Sequence, residues 1–265
     1  MAPPPRARGD VALRVKAAPG GTALSGLRMA GSLKALFPRA RRGLEALLVN
    51  TAGGITGGDR FSIVAEAGPG SDLTLTSQAA ERVYRSSSGA GRVDTVLRAG
   101  PGARLSWLPQ ELIFFDGGAL RRSLHVDLSS DARLLMVEPI VFGRQAMGET
   151  VSTGQFSDRI RIDCAGVPLY RDTLQIDQDF ARVFARRAGL NGSIALASVV
   201  CVGPEVDGHL KRLREMLPAT GGVSLPGPNV LCVRIVAADG FELRRSLVPV
   251  LEHLHEGALP ISWRL

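Results

Sequence analysis

Short strand-like runs, separated by turn signals, recur through the first half of this chain. Apolar or alternating runs occupy residues 61–65, 72–76, 92–98, 103–107, 123–128 and 132–137. The connections carry the glycine, proline, serine and aspartate residues typical of turns, at 68–70, 88–91, 100–102, 116–118 and 129–131. No helical pattern lies between these strands, so a βαβ sheet is disfavoured. The pattern predicts a mainly β chain, with many short strands in packed sheets or in a β-helix-like stack.

Further strand signals lie on both sides of this region. They cover residues 11–15 and 23–29 before it, and 159–164, 167–174, 194–202, 223–225 and 230–236 after it. The same strand pattern therefore extends over most of the chain.

Two segments in the C-terminal part have helical spacing instead. Residues 205–217 place apolar side chains three or four positions apart after Pro204, and Pro218 ends the pattern. Residues 247–254 show the same spacing, and we expect Pro249 to fit only in the first turn of that helix. The sequence thus predicts about two α-helices in the C-terminal part.

Length and composition indicate one globular domain. The chain has 265 residues, of which 45% are hydrophobic and 22% are charged, and this is typical of a protein with a substantial core. No shift in composition marks a linker, so we treat residues 1–265 as a single domain whose Pro/Arg-rich residues 1–9 are flexible. No run of about 18 apolar residues is present, and we therefore expect no membrane-spanning helix.

The N-terminus and the cysteines favour a cytoplasmic location. Residues 1–6 lack the apolar region of a secretory signal. Cys164, Cys201 and Cys232 are widely spaced and suggest no disulfide framework. Because each lies in or at the end of a strand-like run, we expect buried thiols rather than metal ligands.

The formal net charge of +7 comes almost entirely from arginine, because the chain has few lysines. Such a balance is compatible with nucleic acid, a membrane surface or an acidic protein partner. The chain has only two Trp and two Tyr residues for stacking on bases, so we do not expect nucleic-acid binding. An acidic protein partner explains the charge equally well.

Residues 47–61 contain the strongest local motif, in which four glycines at positions 53, 54, 57 and 58 precede Asp59. Strand-like runs enter and leave this segment, so it connects two strands. A phosphate-binding loop needs a helix N-terminus behind it, and a Walker loop also needs Gly-Lys-Ser/Thr. The segment has neither, and we interpret it as a tight turn that requires positive φ.

The chain shows no motif for covalent or acid–base catalysis. Its four histidines form no zinc pattern with a cysteine, and no G-x-S-x-G segment occurs. His253 and His255 are two residues apart and do not share a helix face, so we expect them to be solvated.

Carboxylates in apolar or turn-marked surroundings are the remaining candidates for chemistry. They are Asp59, Glu81, Glu111, Asp116, Glu138, Glu149 and Asp172. A buried carboxylate must be paired, hydrogen-bonded, hydrated or metal-bound. Arginine partners are plentiful, so we expect structural ion pairs, such as Asp59 with Arg82 and Glu81 with Arg85, rather than metal contacts.

Several blocks, taken in order, resemble the urease accessory protein D (UreD) family. The glycine loop resembles that family's Gly-Gly-x-x-Gly-Gly-Asp segment. The further blocks are Leu75-Thr-Ser-Gln-Ala-Ala-Glu-Arg-Val-Tyr-Arg85, Leu108-Pro-Gln-Glu-Leu-Ile-Phe-Phe115, Phe142-Gly-Arg-Gln-Ala-Met-Gly-Glu149 and Tyr170-Arg-Asp172. The resemblance covers residues 47–172. One departure is Arg82, where the family usually carries lysine; the positive charge is kept, but a role special to an ammonium group is not.

The resemblance implies a non-enzymatic scaffold that works with urease accessory proteins F and G to load nickel into apo-urease. It also implies a mostly β fold with two helices, no tightly bound cofactor, and an internal tunnel for transient nickel. Carboxylates suit such a path because they bind Ni²⁺ weakly enough to release it. Glu111, Glu138 and Glu149 are the candidates for the tunnel wall.

The glycine loop and its neighbours are expected to have a structural or interaction role. These residues are Gly53, Gly54, Gly57, Gly58, Asp59, Arg60, Tyr84 and Arg85. The alternative to a scaffold is a β-rich enzyme with a carboxylate-based site in a glycine-lined cleft.

Overall fold

The alternating apolar pattern builds two β-sheets that pack face to face. The computed structural model describes residues 5–144, 147–255 and 257–264. Sheet A has seven strands: β1 (Arg8–Ala18), β2 (Gly21–Gly31), β5 (Arg60–Ala67), β8 (Gly91–Ala99), β11 (Ala119–Leu128), β13 (Gln155–Cys164) and β14 (Val167–Asp177). Sheet B has ten: β3 (Leu33–Leu36), β4 (Leu44–Asn50), β6 (Asp72–Ser77), β7 (Glu81–Val83), β9 (Arg104–Leu108), β10 (Leu112–Phe114), β12 (Arg133–Phe142), β15 (Ala195–Val202), β16 (Gly221–Gly227) and β17 (Val230–Ala237).

The chain moves back and forth between the sheets as it advances from β4 to β13. Sheet A gains β5, β8, β11 and β13 as parallel neighbours. Sheet B gains β4, β6, β9 and β12 in the same way. Each coil therefore adds one strand to each sheet, and the predicted mainly β, β-helix-like stack is confirmed.

The main core lies between the sheets. Strand β5 alternates buried and less buried residues along its whole length, as expected for a strand with one solvent-facing side. Five phenylalanines pack together in this core, and two of them come from the short helix α1 (Phe180–Ala185). The rings are those of Phe114, Phe142, Phe156, Phe180 and Phe184.

A second core lies on the outer face of sheet B, beneath helix α3 (Gly240–Leu254). The buried side of α3 carries Leu243, Leu247, Val250 and Leu251, which pack with residues of β12, β15 and β17. Strand β12 is therefore covered on both faces, and its residues are buried almost without interruption.

The helices differ from the sequence prediction in three respects. The described residues form three α-helices rather than about two, because α1 is too short to show a helical period. The predicted helix at 205–217 is divided into a 3₁₀ turn (Val206–His209) and α2 (Leu210–Met216). The expected place of Pro249 is wrong, since it lies in the interior of α3 rather than in its first turn. Pro249 is exposed, so water can reach the backbone carbonyl that the missing N–H leaves free.

None of the helices in the described residues has the length and apolar character needed to cross a membrane.

Candidate functional site

Three charged side chains meet in the space between the sheets. Arg122 of β11 and Asp158 of β13 face each other across neighbouring parallel strands of sheet A. Two hydrogen bonds join them, from Nε to Oδ1 at 3.0 Å and from Nη2 to Oδ2 at 2.5 Å. Glu138 of β12 reaches this pair from sheet B, and its Oε2 lies 2.6 Å from Nη1 of Arg122. One guanidinium thus joins two carboxylates from opposite sheets.

Glu138 has unequal surroundings at its two oxygens. Oε1 accepts a hydrogen bond from Nε1 of Trp107 at 2.7 Å. Oε2 makes the ion pair with Arg122, but among the described residues it receives no hydrogen bond of good geometry. Both oxygens belong to a carboxylate that is only 3% exposed.

Burial sets the charge of this cluster. It raises the pKa of Glu138 to about 7, against the opposing effect of Arg122 and with a further increase from Asp158. Burial also disfavours the charge of Arg122, but Asp158 and Glu138 outweigh this effect and raise its pKa, so it stays protonated. Loss of the Glu138 proton makes the net charge of the three groups one unit more negative.

The two carboxylates of this cluster line a cavity of about 270 Å³ between the sheets. Glu138 and Asp158 lie on its wall together with Asp172 of β14 and Arg234 of β17, and most other lining residues are aliphatic. Asp172 and Arg234 form a second ion pair between the sheets. The cavity lining therefore combines three carboxylates with one guanidinium group, that of Arg234, in a mostly apolar space.

Two weakly acidic groups lie beside Asp172. The hydroxyl of Tyr170 is 3.4 Å from Oδ2 of Asp172, and burial and that carboxylate raise the pKa of Tyr170 to about 12. Burial also raises the pKa of the Cys232 thiol to about 11, so this thiol is protonated at neutral pH and is a poor metal ligand. The cysteines are only partly buried, which corrects the expectation of buried thiols.

A larger cavity, of about 590 Å³, has the opposite charge character. Six arginines line it, against only two carboxylates, Glu45 and Asp72. The arginines are Arg39, Arg41, Arg42, Arg104, Arg133 and Arg264. Such a lining repels cations, so size alone does not identify the better candidate for a metal path.

Of the three glutamates predicted for a tunnel wall, only Glu138 lines the inter-sheet cavity. Glu111 lies near α3, where Arg244 holds its Oε1 at 3.0 Å. Glu149 pairs with Arg144 through contacts of 2.9 and 3.3 Å, and that guanidinium covers the ring of Phe115. The structure thus places the three in separate networks.

The glycine loop connects β4 to β5, as predicted, and is held by backbone contacts. Ile55 bridges to Val83 in parallel register. Gly53, Gly54 and Gly58 have positive φ, at 78°, 153° and 89°, whereas Gly57 does not. At Gly57 the requirement is space, because a Cβ there would lie 1.9 Å from Oγ of Ser86.

The acidic residue after the glycines, Asp59, binds backbone N–H groups. Asp59 accepts hydrogen bonds from the N–H groups of Ala7 and Thr56, both at 2.8 Å. The expected ion pair with Arg82 is therefore wrong: the carboxylate points to main-chain donors just before β1 and within the glycine loop. Arg60, the first residue of that strand, is exposed.

Glu81, Tyr84 and Arg85 lie beside the loop. The expected pair of Glu81 with Arg85 is also wrong, since Glu81 accepts a hydrogen bond from Asn50 at 3.1 Å and Arg85 pairs with Asp116 at 2.5 Å. Tyr84 donates to the carbonyl of Gly53 at 3.3 Å and is 39% exposed. Tyr84 and Arg85 together give the loop an exposed aromatic and cationic surface.

The prediction that His253 is solvated needs correction. Its Nε2 lies 3.1 Å from Nδ1 of His209, so the two rings contact each other at the meeting of α3 and the 3₁₀ turn. Burial and the neighbouring His209 lower the pKa of His253.

Sequence reasoning missed Arg122 and Asp158, although a signal was present. Asp158 lies between Phe156 and Ile160 on the alternating buried face of β13. Arg122 lies in the same way between Leu120 and Leu124 on β11. A charged residue in phase with buried apolar neighbours indicates a buried ion pair.

Comparison with known proteins gives the family. The family model described as UreD urease accessory protein matches residues 7–264. A urease accessory protein UreD of Roseobacter denitrificans is 50% identical over 262 residues, which cover 98% of this chain and 96% of that protein. A protein of the same name from Ruegeria sp. is 50% identical over 273 residues, covering 99% of this chain and 92% of the relative. Another, from Rhizobium etli, is 43% identical over 265 residues, covering 99% and 97%.

These matches extend over nearly the whole chain, well beyond the motif blocks at 47–172. They confirm the resemblance drawn from those blocks, and the relatives' names give no support to the alternative of a β-rich enzyme. The chain belongs to the UreD family of urease accessory proteins, an accessory rather than a catalytic family.

Proposed function

We propose that this protein is a cytoplasmic scaffold for nickel insertion into apo-urease, acting in a complex with urease accessory proteins F and G. Family membership supports a role in urease maturation. The observation that carries the nickel step is the inter-sheet cavity, where three carboxylates line a space of about 270 Å³. Nickel is the cargo of this step, and no tightly bound cofactor is needed.

The chemistry of the cavity suits passage rather than storage. The lining described here contains neither cysteine nor histidine, so a thiolate or imidazole cage is not formed by it. Carboxylates hold Ni²⁺ less firmly than such cages do. A metal ion that binds weakly at each point of a path can also leave it.

Glu138 is the central residue of this proposal. Its Oε2 is held by one ion pair only, and its pKa of about 7 lets the carboxylate gain or lose a proton near neutrality. Ionised Glu138 makes the net charge of its cluster one unit more negative, which attracts a cation. Arg122 limits this attraction, so the cation is not trapped.

Asp172 extends the acidic lining toward the edge strand β14. It lies on the same cavity wall and is paired with Arg234 of β17. The two carboxylate–guanidinium pairs form successive polar positions in a mainly apolar space.

The surface around the glycine loop is the proposed docking region for the protein partners. Tyr84 and Arg85 are exposed there, and aromatic and arginine side chains are the types most enriched in protein interfaces. The net charge of +7 also favours an acidic partner.

The experiment that tests the function has two readouts. The protein should co-purify with apo-urease and accessory protein F, and Glu138→Gln should preserve that complex while lowering the nickel content of urease. Glu66→Gln is the matched control, because Glu66 pairs with Arg14 on the surface. Failure of the native protein to co-purify would contradict the scaffold role, whereas full nickel loading by Glu138→Gln would contradict the path.

The same assay tests the other predicted glutamates. Glu111→Gln and Glu149→Gln remove carboxylates that lie outside the inter-sheet cavity. If nickel follows the cavity, both variants should load urease normally. A loss with either one would place the path near α3 or near the Arg144 contact instead.

A further inference from the structure

We propose that the outer face of sheet A carries a binding site for a divalent transition-metal ion of the Ni²⁺ or Zn²⁺ type, formed by His125, Asp127 and Asp163. The proposal does not rest on the nickel path described above. Strand β11 directs Arg122 into the space between the sheets and His125 and Asp127 to its opposite face, so the two sites are separated by the sheet.

The three side chains come together through strand register. His125 and Asp127 are two residues apart on β11, and Asp163 lies directly opposite Asp127 on the parallel strand β13. Nε2 of His125 is 2.8 Å from Oδ2 of Asp163 and 3.1 Å from Oδ1 of Asp127. Bonds of about 2.0–2.2 Å from a metal to imidazole nitrogen and carboxylate oxygen place adjacent ligand atoms about 3 Å apart. The spacing already present therefore matches two edges of a coordination polyhedron.

Hydrogen bonding alone does not satisfy this arrangement. Two carboxylate oxygens converge on one ring nitrogen, and that nitrogen carries at most one proton. Like charges directly opposite each other on neighbouring strands are also destabilising. A divalent cation accepts lone pairs from all three groups at once, whereas Arg171 and Arg98 each reach only one oxygen of one carboxylate.

Two arginines orient the carboxylates from outside the cluster. Arg171 binds Oδ1 of Asp163, which leaves Oδ2 toward His125. Nε of Arg98 lies 3.8 Å from Oδ2 of Asp127, which leaves Oδ1 toward His125. Each carboxylate thus has one oxygen turned to a guanidinium and the other turned to His125. The two guanidinium groups orient the carboxylates as the outer hydrogen-bond partners of metal ligands do.

The ligand set selects the class of ion. Imidazole suits Zn²⁺, Cu²⁺ and Ni²⁺, whereas Mg²⁺ and Ca²⁺ prefer oxygen ligands only. His125 and Asp127 are 37% and 42% exposed, so an ion can enter from solvent and keep water as its remaining ligands. The three protein ligands on one open face make a site that exchanges its metal readily.

The test is calorimetric titration of untagged full-length protein with NiCl₂ and, separately, with ZnCl₂ and MgCl₂. Ni²⁺ and Zn²⁺ should compete for one site that Mg²⁺ does not occupy. His125→Ala and Asp163→Asn should each weaken Ni²⁺ binding at that site by roughly tenfold or more, the loss that even an outer partner of a metal ligand can cause. His209→Ala is the control, because it removes a histidine that contacts His253 at the meeting of α3 and the 3₁₀ turn, outside strands β11 and β13, and should leave the affinity of this site unchanged.

A second measurement separates metal binding from a structural role. In the absence of metal, Asp127→Asn should change the melting temperature little, because the relieved repulsion between the facing carboxylates offsets the weakened contacts with Arg98 and His125. Added Ni²⁺ should raise the melting temperature of the native protein and of Glu138→Gln, but raise that of Asp127→Asn much less. Equal Ni²⁺ affinity in the native protein, His125→Ala and Asp163→Asn would overturn the proposal.

Discussion

Gly57 and Ser86 approach each other so closely that a Cβ atom at position 57 would lie 1.9 Å from Oγ of Ser86. The same Cβ would lie 2.3 Å from the carbonyl oxygen of Ser88, so a rotation of Ser86 alone would not make room. Ser86 itself donates a hydrogen bond to the carbonyl of Gly89 at 2.8 Å. The glycine loop is therefore packed against the turn at 86–89, and this contact fixes the entry into β5.

Substitution of Gly57 by valine should destabilise the protein through this contact. Overpacking typically costs about 1–3 kcal/mol, which corresponds to a fall of several degrees in melting temperature for a chain of this size. Thermal unfolding followed by circular dichroism measures it. Gly222→Ala is the control, because position 222 has open space and no positive φ. Equal melting temperatures for Gly57→Val and the native protein would contradict the packing account.

At Gly54, the backbone adds to the steric effect. Its φ is 153°, and a Cβ would lie 2.3 Å from Cε2 of Tyr84. Gly54→Val should therefore displace the Tyr84 ring as well as destabilise the fold. Loss of urease activation without a change in melting temperature would indicate an effect on partner binding through Tyr84, whereas full activation by this variant would show that the loop tolerates a side chain.

Removal of Arg122 should be among the most damaging single changes in the described core. Arg122→Met leaves Glu138 and Asp158 buried without their shared cation, and breaking a buried pair in this way typically costs about 3–5 kcal/mol. The loss should be larger at pH 8 than at pH 5, because protonation relieves buried carboxylates that lack a partner. Urea unfolding at both pH values checks this. An equal loss at the two values would show that the charges are compensated in another way.

Glu138 should make stability fall as the pH rises toward and through 7. Its pKa in the folded protein is about 7, above that of an unfolded glutamate, so the folded state holds the proton more tightly. This contribution is fully present below about pH 4.3 and is lost as the pH rises through the folded pKa. Glu138→Gln removes that titration and should flatten the stability profile between about pH 5 and 8.

Measurement of unfolding free energy against pH, in native protein and Glu138→Gln, tests this sign directly. Glu66→Gln provides the surface control and should keep the native profile. If Glu138→Gln left the slope between pH 5 and 8 unchanged, Glu138 would not be the group that titrates there.

The strands could be predicted from the sequence because their alternation is local. In β5 every second residue is buried, and the turns on either side carry glycine or proline. The ion pair of Arg122 with Glu138 could not be predicted in this way, because it joins strands from different sheets. Its partners depend on how the sheets face each other, and no local pattern records that.

The same distinction applies to the loop and to the predicted metal path. The need for a tight turn at Gly53 and Gly54 follows from residue type, and positive φ is observed at both. Gly57 is required for a different reason, since its neighbour lies 29 positions further along the chain. Residue type alone does not separate Glu138 from Glu111 and Glu149, and only the packing of sheets and helices distinguishes a cavity wall from an ion pair elsewhere.

Pro249 offers a test of how far tertiary packing overrides helix propensity. It lies in the interior of α3, where proline is roughly 3 kcal/mol less favourable than alanine. The buried leucines on the opposite side of α3 keep the helix in place despite this cost.

Pro249→Ala restores a backbone N–H and should raise the melting temperature by a few degrees, since part of the gain is offset by a more flexible unfolded chain. Pro218→Ala, just beyond the end of α2, is the matched control and should change it little. A lower melting temperature for Pro249→Ala would show instead that α3 needs the bend that proline introduces.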